Sequence, residues 1–382
     1  MTGLHKVLRV LALAAASASA FPAGIIPPIF QNPNVTGYEE FAISAGDIKA
    51  VFIPYGATLK ANRWGQSRDI ALGYDDPSTY ANPTTHAPRI GSQIGRYADR
   101  LTNASFTLDG ITYNTTVNLH PKDAPELNVT FHGGIGFDYR NFTVVAHTKD
   151  TLVLNYFSPD GEAGFPGDVD FYVSHHVKAP STWTVKMWAT VSKNTPLLPT
   201  SHIYLQLNGY NSSEPGMLDH VYYMNSKKYQ GVDENLYFDG QIIPTTPGAP
   251  GDFTTPKRVA DGFWDARLCG GGCIGYDSVF VYEPHTKTDV VASLWSPASG
   301  IRLDMSTDQD CVALYTCGEL ANNTAPAKAA HGGGFYSQYS CILFEQQGYG
   351  DAVHWPNFGV NEIYGPNRPY YSESTYKFSN IP

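Results

Sequence analysis

Short apolar runs separated by turn residues are the feature that most constrains the fold of this 382-residue chain. Runs such as FAISAG, VKMWATV, SVFVYEP and CVALYTC are bounded by Gly, Pro, Asn or Asp, and patterns with the helical period are nearly absent. Many short strands with turn signals between them are typical of an all-β sandwich or barrel. The 36 glycines, 27 prolines and 13% aromatic residues agree with that class.

Residues 1–20 predict a secretory signal peptide. Lys6 and Arg9 precede an apolar run that ends in an A-x-A motif at residues 18–20, which fits cleavage after residue 20. The run is too short to span a bilayer, and no later segment reaches ~18 uninterrupted apolar residues. We therefore expect residues 21–382 to be exported, and to form one domain because no linker, charge block or internal repeat divides them.

The charge and the glycosylation motifs fit an extracellular chain. Loss of residues 1–20 removes two positive charges, so the net charge moves from −10 to −12. An acidic chain without a basic run argues against nucleic acid and anionic membranes as partners. A small molecule is the expected partner, and a monomer or weak dimer the expected assembly. Seven N-x-S/T tripeptides give candidate glycosylation sites at Asn34, Asn103, Asn114, Asn128, Asn141, Asn211 and Asn322.

The five cysteines all lie near the end of the chain, at positions 269, 273, 311, 317 and 341. Export makes disulfides chemically permissible. Zinc is the alternative, but Cys269-x3-Cys273 has no second pair at finger spacing and no H-x3-5-H partner. We therefore expect structural disulfides with one thiol left over, and the sequence leaves the pairing open.

The segment Leu198–Asn211 alternates with period two and predicts a strand. Ile203, Leu205 and Leu207 would share one face. A solvated strand face ordinarily carries Lys, Glu and Thr, whereas the opposite face here carries one histidine, one tyrosine and two amides. These four residues are His202, Tyr204, Gln206 and Asn208.

A second apolar run, YSCILFEQQ, ends in a carboxylate. Alternation puts Ile342 and Phe344 on one face and Cys341, Leu343 and Glu345 on the other. A carboxylate beside apolar groups tends towards a raised pKa, which suits a general base near neutral pH. A solvated glutamate at a strand end has the same pattern, so the run alone leaves both interpretations open.

His132 and Arg100 are further candidates. His132 follows a β-like NVTF and precedes two glycines, so it could donate to a ligand oxygen or cap the turn. Arg100, four residues after Arg96, could bridge two hydroxyls or pair with a nearby acid. The acidic segment SPDGEAGFPGD lacks the EF-hand register and predicts a turn rather than a calcium site. The HGGG at His331 predicts a flexible surface loop.

Several catalytic motifs are missing from the sequence: G-x-S-x-G, the P-loop, H-E-x-x-H, and G-x-G-x-x-G after a strand. The remaining candidates are two histidines, one glutamate, one arginine and many aromatics, a set that implies neither a metal nor a cofactor. Such sets bind sugars, with the rings against aromatics and the hydroxyls held by charged or amide groups. Protonating one sugar oxygen while deprotonating another needs only one acid and one base.

Ten motifs from about residue 40 to the C-terminus resemble, in order, those of the aldose 1-epimerase (galactose mutarotase) family. The resemblance implies a large antiparallel β-sandwich with the sugar in an open concave site, and a reaction that interconverts the α and β anomers of a free aldose. The motifs are GRYADRL with FTLDGITYN, FHGGIGFDYR, SPDGEAGFPGD, SHIYLQLNG, LDH, IIPTTPG, DFTTPKR, GYDSVFVYE, LYTCGEL and FEQQGYGDAVHWPNF.

The resemblance also implies a role for each matching residue. Glu345 corresponds to the general base that takes the proton of the C1 hydroxyl. His202 corresponds to the general acid that protonates the ring oxygen, and His132 to a second histidine that holds the sugar near that oxygen. The substrate-binding candidates are Arg100, Asp277, Asp99 and Tyr204.

Three positions depart from the family pattern. Asp99 and Ser201 stand where members usually have Asn, and Ala313 stands where a sugar-contacting glutamine often precedes the YT motif. These sites shape sugar selectivity more than proton transfer. Two alternatives remain beside a secreted epimerase of glucose or galactose: an epimerase of a modified or phosphorylated sugar, which would need a cationic clamp, and a non-catalytic extracellular sugar-binding protein on the same fold.

Overall fold

The computed structural model describes residues 36–65, 68–82, 89–121, 124–210, 216–270, 273–322 and 325–381. The predicted signal peptide, Asn34 and Asn211 lie outside the described residues. Within these ranges, no helix has the length and apolar character needed to cross a membrane.

The described ranges contain 28 strands. In chain order, the first fourteen are β1 (Phe41–Ala45), β2 (Ile48–Ile53), β3 (Thr58–Trp64), β4 (Arg68–Asp69), β5 (Gln93–Ile94), β6 (Arg100–Thr102), β7 (Ser105–Leu108), β8 (Ile111–Asn114), β9 (Val129–Phe131), β10 (Thr143–His147), β11 (Thr151–Ser158), β12 (Val169–Lys178), β13 (Thr182–Val191) and β14 (Thr195–Pro196). The second fourteen are β15 (Thr200–Ser201), β16 (Tyr204–Leu205), β17 (Val221–Met224), β18 (Ser226–Val232), β19 (Phe238–Pro244), β20 (Lys257–Arg258), β21 (Arg267–Leu268), β22 (Gly275–Tyr282), β23 (Ala292–Trp295), β24 (Ile301–Thr307), β25 (Cys311–Tyr315), β26 (Ile342–Gln347), β27 (Ile363–Tyr364) and β28 (Tyr370–Asn380).

Helical structure in the described ranges is restricted to short 3-10 turns. They span Pro77–Ala81, Phe137–Tyr139, Glu162–Gly164, Met217–Asp219, Phe263–Asp265, Gly318–Asn322, Ala329–His331 and Pro356–Phe358.

Two large sheets organise the strands. One has nine strands in the order β10-β11-β12-β13-β28-β24-β23-β17-β20, and the other contains β16-β26-β25-β22-β18-β19, with β21 paired to β22. All pairings are antiparallel except β21 with β22. The main hydrophobic core takes residues from both sheets, among them Phe171 and Leu303 from the first and Phe280 and Phe344 from the second. The predicted all-β antiparallel sandwich is confirmed.

Alternating burial along the strands explains why they pack as layers. In β24, Ile301, Leu303 and Met305 are buried, whereas Arg302 and Asp304 are half-buried. This period-2 pattern puts the apolar face on the core and the polar face towards solvent. β26 departs from it, because all six of its residues are buried. Both faces of β26 are therefore covered, one by the main core and one by the loops that build the site.

The register of four neighbouring strands decides which side chains meet on that second face of β26. Residues directly opposite each other in antiparallel strands point to the same side of the sheet. One such row runs across β16, β26, β25 and β22, and the next across β26, β25 and β22. The first row is Tyr204, Leu343, Tyr315 and Asp277, and the second is Glu345, Ala313 and Val279.

The predicted strand over Leu198–Asn211 is wrong in its extent. Only β15 and β16 form there, because the side chain of Gln206 accepts the backbone N–H groups of Asn208 and Tyr210 and turns the chain. The apolar residues Ile203, Leu205 and Leu207 do share one side of the segment, as predicted, and all three belong to the main core. The polar row is not solvated, since all four of its members are buried.

The predicted surface loop at His331 is wrong for the histidine, although Gly332 and Gly334 after it are exposed. The imidazole is buried and lies 2.7 Å from the Tyr336 hydroxyl and 3.0 Å from the backbone oxygen of Asp69. The neighbouring Lys328 is buried as well, and its ammonium donates to the carboxylate of Asp69 and the carbonyl of Ala71. These contacts fix the segment against β4.

Two turns follow from local sequence, and the one predicted in the acidic segment is confirmed. The LDGI sequence forms the hairpin between β7 and β8, with Asp109 at φ 52° and Gly110 at φ 78°, the positive pair that a type I′ turn requires. The acidic segment after β11 is a turn that leads to β12. Arg96 holds this turn by donating to the carbonyls of Ser158, Pro159 and the residues from 165 to 167.

Two pairs of cysteines lie at disulfide distance: Cys269 with Cys273, and Cys317 with Cys341. Cys311 is the unpaired thiol among the described residues, and it is fully buried. The expected pattern of disulfides with one thiol left over is therefore present in the structure. The Cys317–Cys341 pair lies next to β25 and β26, just beyond the Tyr315–Leu343 pair of their ladder.

The two sulfur pairs should differ in their contribution to stability. A disulfide stabilises by restricting the unfolded chain, and more so for longer loops. Replacing both Cys317 and Cys341 by Ala should lower the free energy of unfolding by roughly 3–4 kcal/mol, against about 2 kcal/mol for Cys269 and Cys273, whose loop is far shorter. Urea unfolding without reductant measures both variants, and equal losses would contradict the loop-length account.

Candidate active site

Glu345 lies on β26, on the face directed away from the main core. It is only 5% exposed, and Oε2 accepts no hydrogen bond from the described residues. Burial raises its pKa well above the ordinary value, and the carboxylates of Asp99 and Asp277 raise it further. Arg100 and Arg89 oppose the rise only in part. A buried carboxyl with a raised pKa can exchange a proton near neutral pH.

His202 lies in the short connection between β15 and β16. Its backbone N–H donates to the carbonyl of Ser92, and its carbonyl accepts from the N–H of Gly91, so both sides of the peptide are fixed. The buried imidazole extends to Glu345, where Nε2 and Oε1 are 3.4 Å apart. At this distance in a buried site, a proton on either group interacts directly with the other group.

His132 follows β9 and has a left-handed backbone with φ 53°. Its N–H donates to the carbonyl of Asp99, and the N–H of Asp99 donates back to Nδ1 over 3.1 Å. Because a backbone N–H can only donate, Nδ1 is unprotonated and the neutral ring has its proton on Nε2. Burial, and then the charges of His202 and two arginines, lower its pKa well below 6.5. His132 is therefore a neutral hydrogen-bond donor.

The glycine after His132 is required by space as well as by conformation. Gly133 has φ 77°, and a Cβ there would lie 2.4 Å from the carbonyl oxygen of Gly95. No side chain fits at that distance, so the two chain segments approach as closely as they do because the residue is glycine. This close approach sets the position of the His132 ring.

Arg100 bridges two carboxylates on opposite sides of the site. Its guanidinium lies 3.2 Å from Asp99 Oδ1 and 3.3 Å from Asp277 Oδ2. Burial raises the pKa of Asp99 to about 6, although Arg100 opposes the change. Asp277 is the more open partner, with 28% of its side chain exposed. These groups present charged hydrogen-bond donors and acceptors at the site, and their ion pairs hold them in place.

Tyr204 forms a wall of the site. Its ring packs edge-on against His202, with centroids 5.1 Å apart, and it also meets Tyr315 on the next strand but one. Burial raises the pKa of Tyr204 well above 10, so the hydroxyl stays protonated. Next to this wall is a small recess on the sheet, lined in part by Asp99, Arg100, Phe238, Asp277 and Ala313.

All seven residues predicted for catalysis or sugar binding converge on this one face. Other candidates from the same motifs do not join them. Gln206 and Asn208 shape the turn after β16, with Asn208 accepting a hydrogen bond from Ser296, and Arg96 holds a distant turn. Two of the residues that depart from the family pattern also have defined places. The Ser201 hydroxyl donates to the side-chain oxygen of Gln93, and Ala313 lies directly opposite Glu345 in the β25–β26 ladder.

Two residues at the site were not predicted, Arg89 and Phe131. The Arg89 guanidinium lies 5.0 Å from the centre of the Phe131 ring and Arg100 lies 4.8 Å from it. A signal for Phe131 exists in the sequence, because it immediately precedes His132 on a β-like run. Arg89 has no comparable signal, since only the tertiary fold brings the turn before β5 to the site.

A metal ion is the alternative to consider for this site. The potential ligand atoms of His132, His202 and Glu345 lie within 4.8 Å of one another. Two histidines and a glutamate form a known zinc ligand set. Nδ1 of His132, however, accepts the Asp99 N–H, and Nε2 consequently has the proton, so neither nitrogen offers a free lone pair. The donor set as arranged fits proton transfer and hydrogen bonding better than metal binding.

The raised pKa of Asp99 predicts a pH-dependent stability effect. Between the unfolded pKa of 3.8 and the folded value of about 6, the native state keeps a proton that the unfolded state loses, so this group destabilises the fold as pH rises. Asp99→Asn should therefore gain stability relative to the parent from pH 4 to pH 7, by up to about 3 kcal/mol. Urea unfolding at both pH values checks it; a gain that does not change with pH would contradict the assignment.

Comparison with known proteins agrees with the geometry. Residues 39–377 match the family described as Aldose 1-epimerase. A probable aldose 1-epimerase from Arthroderma benhamiae is 31% identical over 398 aligned positions, covering 92% of this chain and 89% of the relative. The galactose mutarotase of Homo sapiens is 28% identical, with 89% and 94% covered.

A solved structure shows the same fold. The GalM/aldose epimerase homologue from C. elegans superimposes with a TM-score of 0.78 at 24% identity, covering 90% of this chain and 99% of that one. The family match covers most of the sequence, and the curated relatives are covered over most of their own length. The chain therefore belongs to the aldose 1-epimerase family.

Proposed function

We propose that this protein interconverts the α and β anomers of free aldohexoses such as glucose and galactose, with Glu345 as general base and His202 as general acid. The observation that carries the proposal is the buried pair itself. Nε2 of His202 and Oε1 of Glu345 are 3.4 Å apart on the wall of the site. An acid and a base so placed can serve the two oxygens on the anomeric carbon of one sugar ring.

The steps balance without any further reactant. The carboxylate of Glu345 takes the proton of the C1 hydroxyl while protonated His202 gives a proton to the ring oxygen, and the bond between C1 and that oxygen breaks. The open-chain aldehyde rotates about its C1–C2 bond. Reclosure reverses both transfers: the hydroxyl returns its proton to His202 and attacks the other face of C1, and Glu345 returns its proton to the carbonyl oxygen.

The active form of this pair holds one proton in total. Proton transfer needs Glu345 ionised and His202 protonated, so activity falls when the pair gains a second proton or loses its only one. Because the pKa of Glu345 is raised, the loss of activity on acidification should occur at a higher pH than an exposed carboxyl would give. A bell-shaped pH profile follows from the two limits.

The remaining site groups suit a neutral sugar. His132 presents an Nε2–H that can donate to a sugar oxygen, and Arg100 and Asp277 offer a donor and an acceptor to hydroxyls. Both arginines of the described site pair with carboxylates, Arg89 with Asp138 and Arg100 with two partners. A phosphorylated sugar would need cations not already neutralised. A binding-only protein has no use for a coupled acid and base.

Export completes the proposal. The N-terminal pattern predicts removal of residues 1–20, and the remainder would act outside the cell as a single glycosylated domain. Four candidate acceptor side chains lie exposed on the described surface, where an oligosaccharide can be attached. They are Asn103, Asn114, Asn128 and Asn141. A fifth, Asn322, ends a 3-10 helix.

Polarimetry of freshly dissolved α-glucose and α-galactose tests the reaction. The parent should accelerate mutarotation of at least one of the two. Glu345→Gln and His202→Gln should each lose roughly 10²- to 10⁴-fold in rate, the usual range for removing a general acid or base. Each amide keeps a polar side chain of similar size but can neither take nor give the proton.

Glu362→Gln is the matched control for these variants. Glu362 is another buried glutamate, hydrogen-bonded to the hydroxyl of Tyr97 and with its pKa raised to about 8 by burial, but it lies outside the site. This variant should retain the parent's rate. Acceleration that survives Glu345→Gln would remove Glu345 as the base, and no acceleration with either hexose would refute the proposed substrates.

Mass spectrometry of protein secreted from a eukaryotic host tests the export proposal. The mature N-terminus should be Phe21, and enzymatic deglycosylation should convert occupied asparagines to aspartate. We expect occupancy at the exposed sites Asn103, Asn114, Asn128 and Asn141, since acceptors must be reachable from solvent. Retention of residues 1–20, or an unmodified chain, would contradict this part of the proposal.

A further inference from the structure

Arg89 lies beside the catalytic pair without taking part in the proton transfers proposed above. It occupies the turn before β5 in a left-handed conformation, with φ 50°. Two residues on, Gly91 donates to the carbonyl of His202, and Ser92 accepts the N–H of His202. The turn that holds Arg89 is thus hydrogen-bonded to the backbone on both sides of the His202 side chain.

The side chain of Arg89 is held at the site by buried contacts. It is 7% exposed, and its Nε donates to Oδ2 of Asp138 over 3.0 Å. Asp138 is completely buried in the 3-10 turn Phe137–Tyr139. Beyond this pair, the guanidinium lies over the ring of Phe131. A buried ion pair fixes one edge of the guanidinium and an aromatic ring packs against it, so its position is well defined.

Phe131 links Arg89 to the groups proposed to bind the sugar. It lies opposite Arg100 in the β6–β9 ladder, and the Arg100 guanidinium lies 4.8 Å from the ring centre. The His132 ring is centred 3.8 Å from it. Phe131 therefore contacts two guanidinium groups and one imidazole, and removal of Arg89 would leave one side of this cluster without its partner.

The charges around Glu345 give Arg89 a second consequence. The charged groups that act on Glu345 are the carboxylates of Asp99 and Asp277 and the guanidiniums of Arg100 and Arg89. Arg89 lowers the pKa of Glu345 even with Asp138 as its ion-pair partner, so its loss would remove one of the two cations that oppose the rise. The other titratable groups facing Glu345 are His202, His132 and Tyr204, and the last two are neutral near pH 7.

We propose that Arg89 is a positioning residue of this active site: anchored by Asp138, it holds the Phe131–Arg100 contact where sugar hydroxyls bind, and it supplies the second fixed cation beside Glu345. The inference rests on the proposed function, because it assumes that Glu345 is the base. It adds a group that determines both sugar affinity and the pH range of the reaction.

The sign of the pH effect follows from the charge. Arg89 lowers the pKa of Glu345, so its loss should raise that pKa and move the acid limb of the kcat/KM profile to higher pH. Loss of the Phe131 contact should loosen Arg100 and raise KM for the sugar about tenfold.

Three variants separate these effects in polarimetric assays from pH 4 to pH 9. Arg89→Met should move the acid limb upward and raise KM. Arg89→Lys should restore the acid limb, because the charge returns, but keep the raised KM, since an ammonium lacks the planar fork and its stacking surface. Arg140→Met is the matched control: Arg140 ends the same 3-10 turn and pairs with Glu162 instead, so it should change neither quantity.

A folded Arg89→Met enzyme with the parent's acid limb and KM would overturn the proposal. If Arg89→Met does not fold, Asp138→Asn takes its place: it keeps the cation but removes its anchor, and it should raise KM with little change in the acid limb. An unchanged KM in that variant would equally overturn the proposal. Failure of the proposed function gives a different result, since the parent would then show no acceleration or Glu345→Gln would keep it.

Discussion

The antiparallel register of β22, β25 and β26 is the constraint on which the site depends. It puts Glu345, Ala313 and Asp277 on the face opposite the main core. A slip of one residue would exchange the two faces of a strand, so Glu345 would enter the core and Phe344 would leave it. Burying a carboxylate among apolar side chains without a partner costs several kcal/mol. The hydrophobic core and the geometry of the candidate site are therefore specified by the same backbone hydrogen bonds.

Opposite charges within the site partly offset the free-energy cost of burying its carboxylates. Glu345, Asp99 and Asp277 are three carboxyl groups within one site, and the two guanidiniums do not fully offset their repulsion or their burial, which is why the pKa values of Glu345 and Asp99 remain raised. A carboxyl group whose pKa is raised towards neutrality can both accept and release a proton near neutral pH, as acid–base chemistry requires. The cost to stability and the capacity for proton transfer have one physical origin.

The sequence predicted the parts of this arrangement that depend on local periodicity. Alternation in β26 assigned Glu345 and Phe344 to opposite faces, which agrees with the structure. The recognition of all seven site residues as one site came from the resemblance to a family, because separations as large as that between Arg100 and Asp277 are bridged only by tertiary structure.

What the sequence missed or misjudged depends on contacts that no local pattern contains. Gln206 ends the predicted strand because its own side chain captures two backbone N–H groups. The HGGG segment looks exposed by composition, yet His331 is buried against Tyr336 of its own segment and Asp69 of the distant β4. Arg89 reaches the site only through the turn before β5, and its role requires Asp138 and Phe131, both distant in sequence.

The sulfur pair Cys317–Cys341 has a consequence for how the protein opens. Strands fray from their ends, and this bridge ties together the beginning of β26 and the end of β25, two residues beyond the last pair of their ladder. Local opening of the Glu345 strand must therefore start from its other end, at Gln347. Backbone amides near Leu343 should be among the slowest in the sheet to exchange with solvent. Glu345 lies between this protected end of the strand and the end that can open.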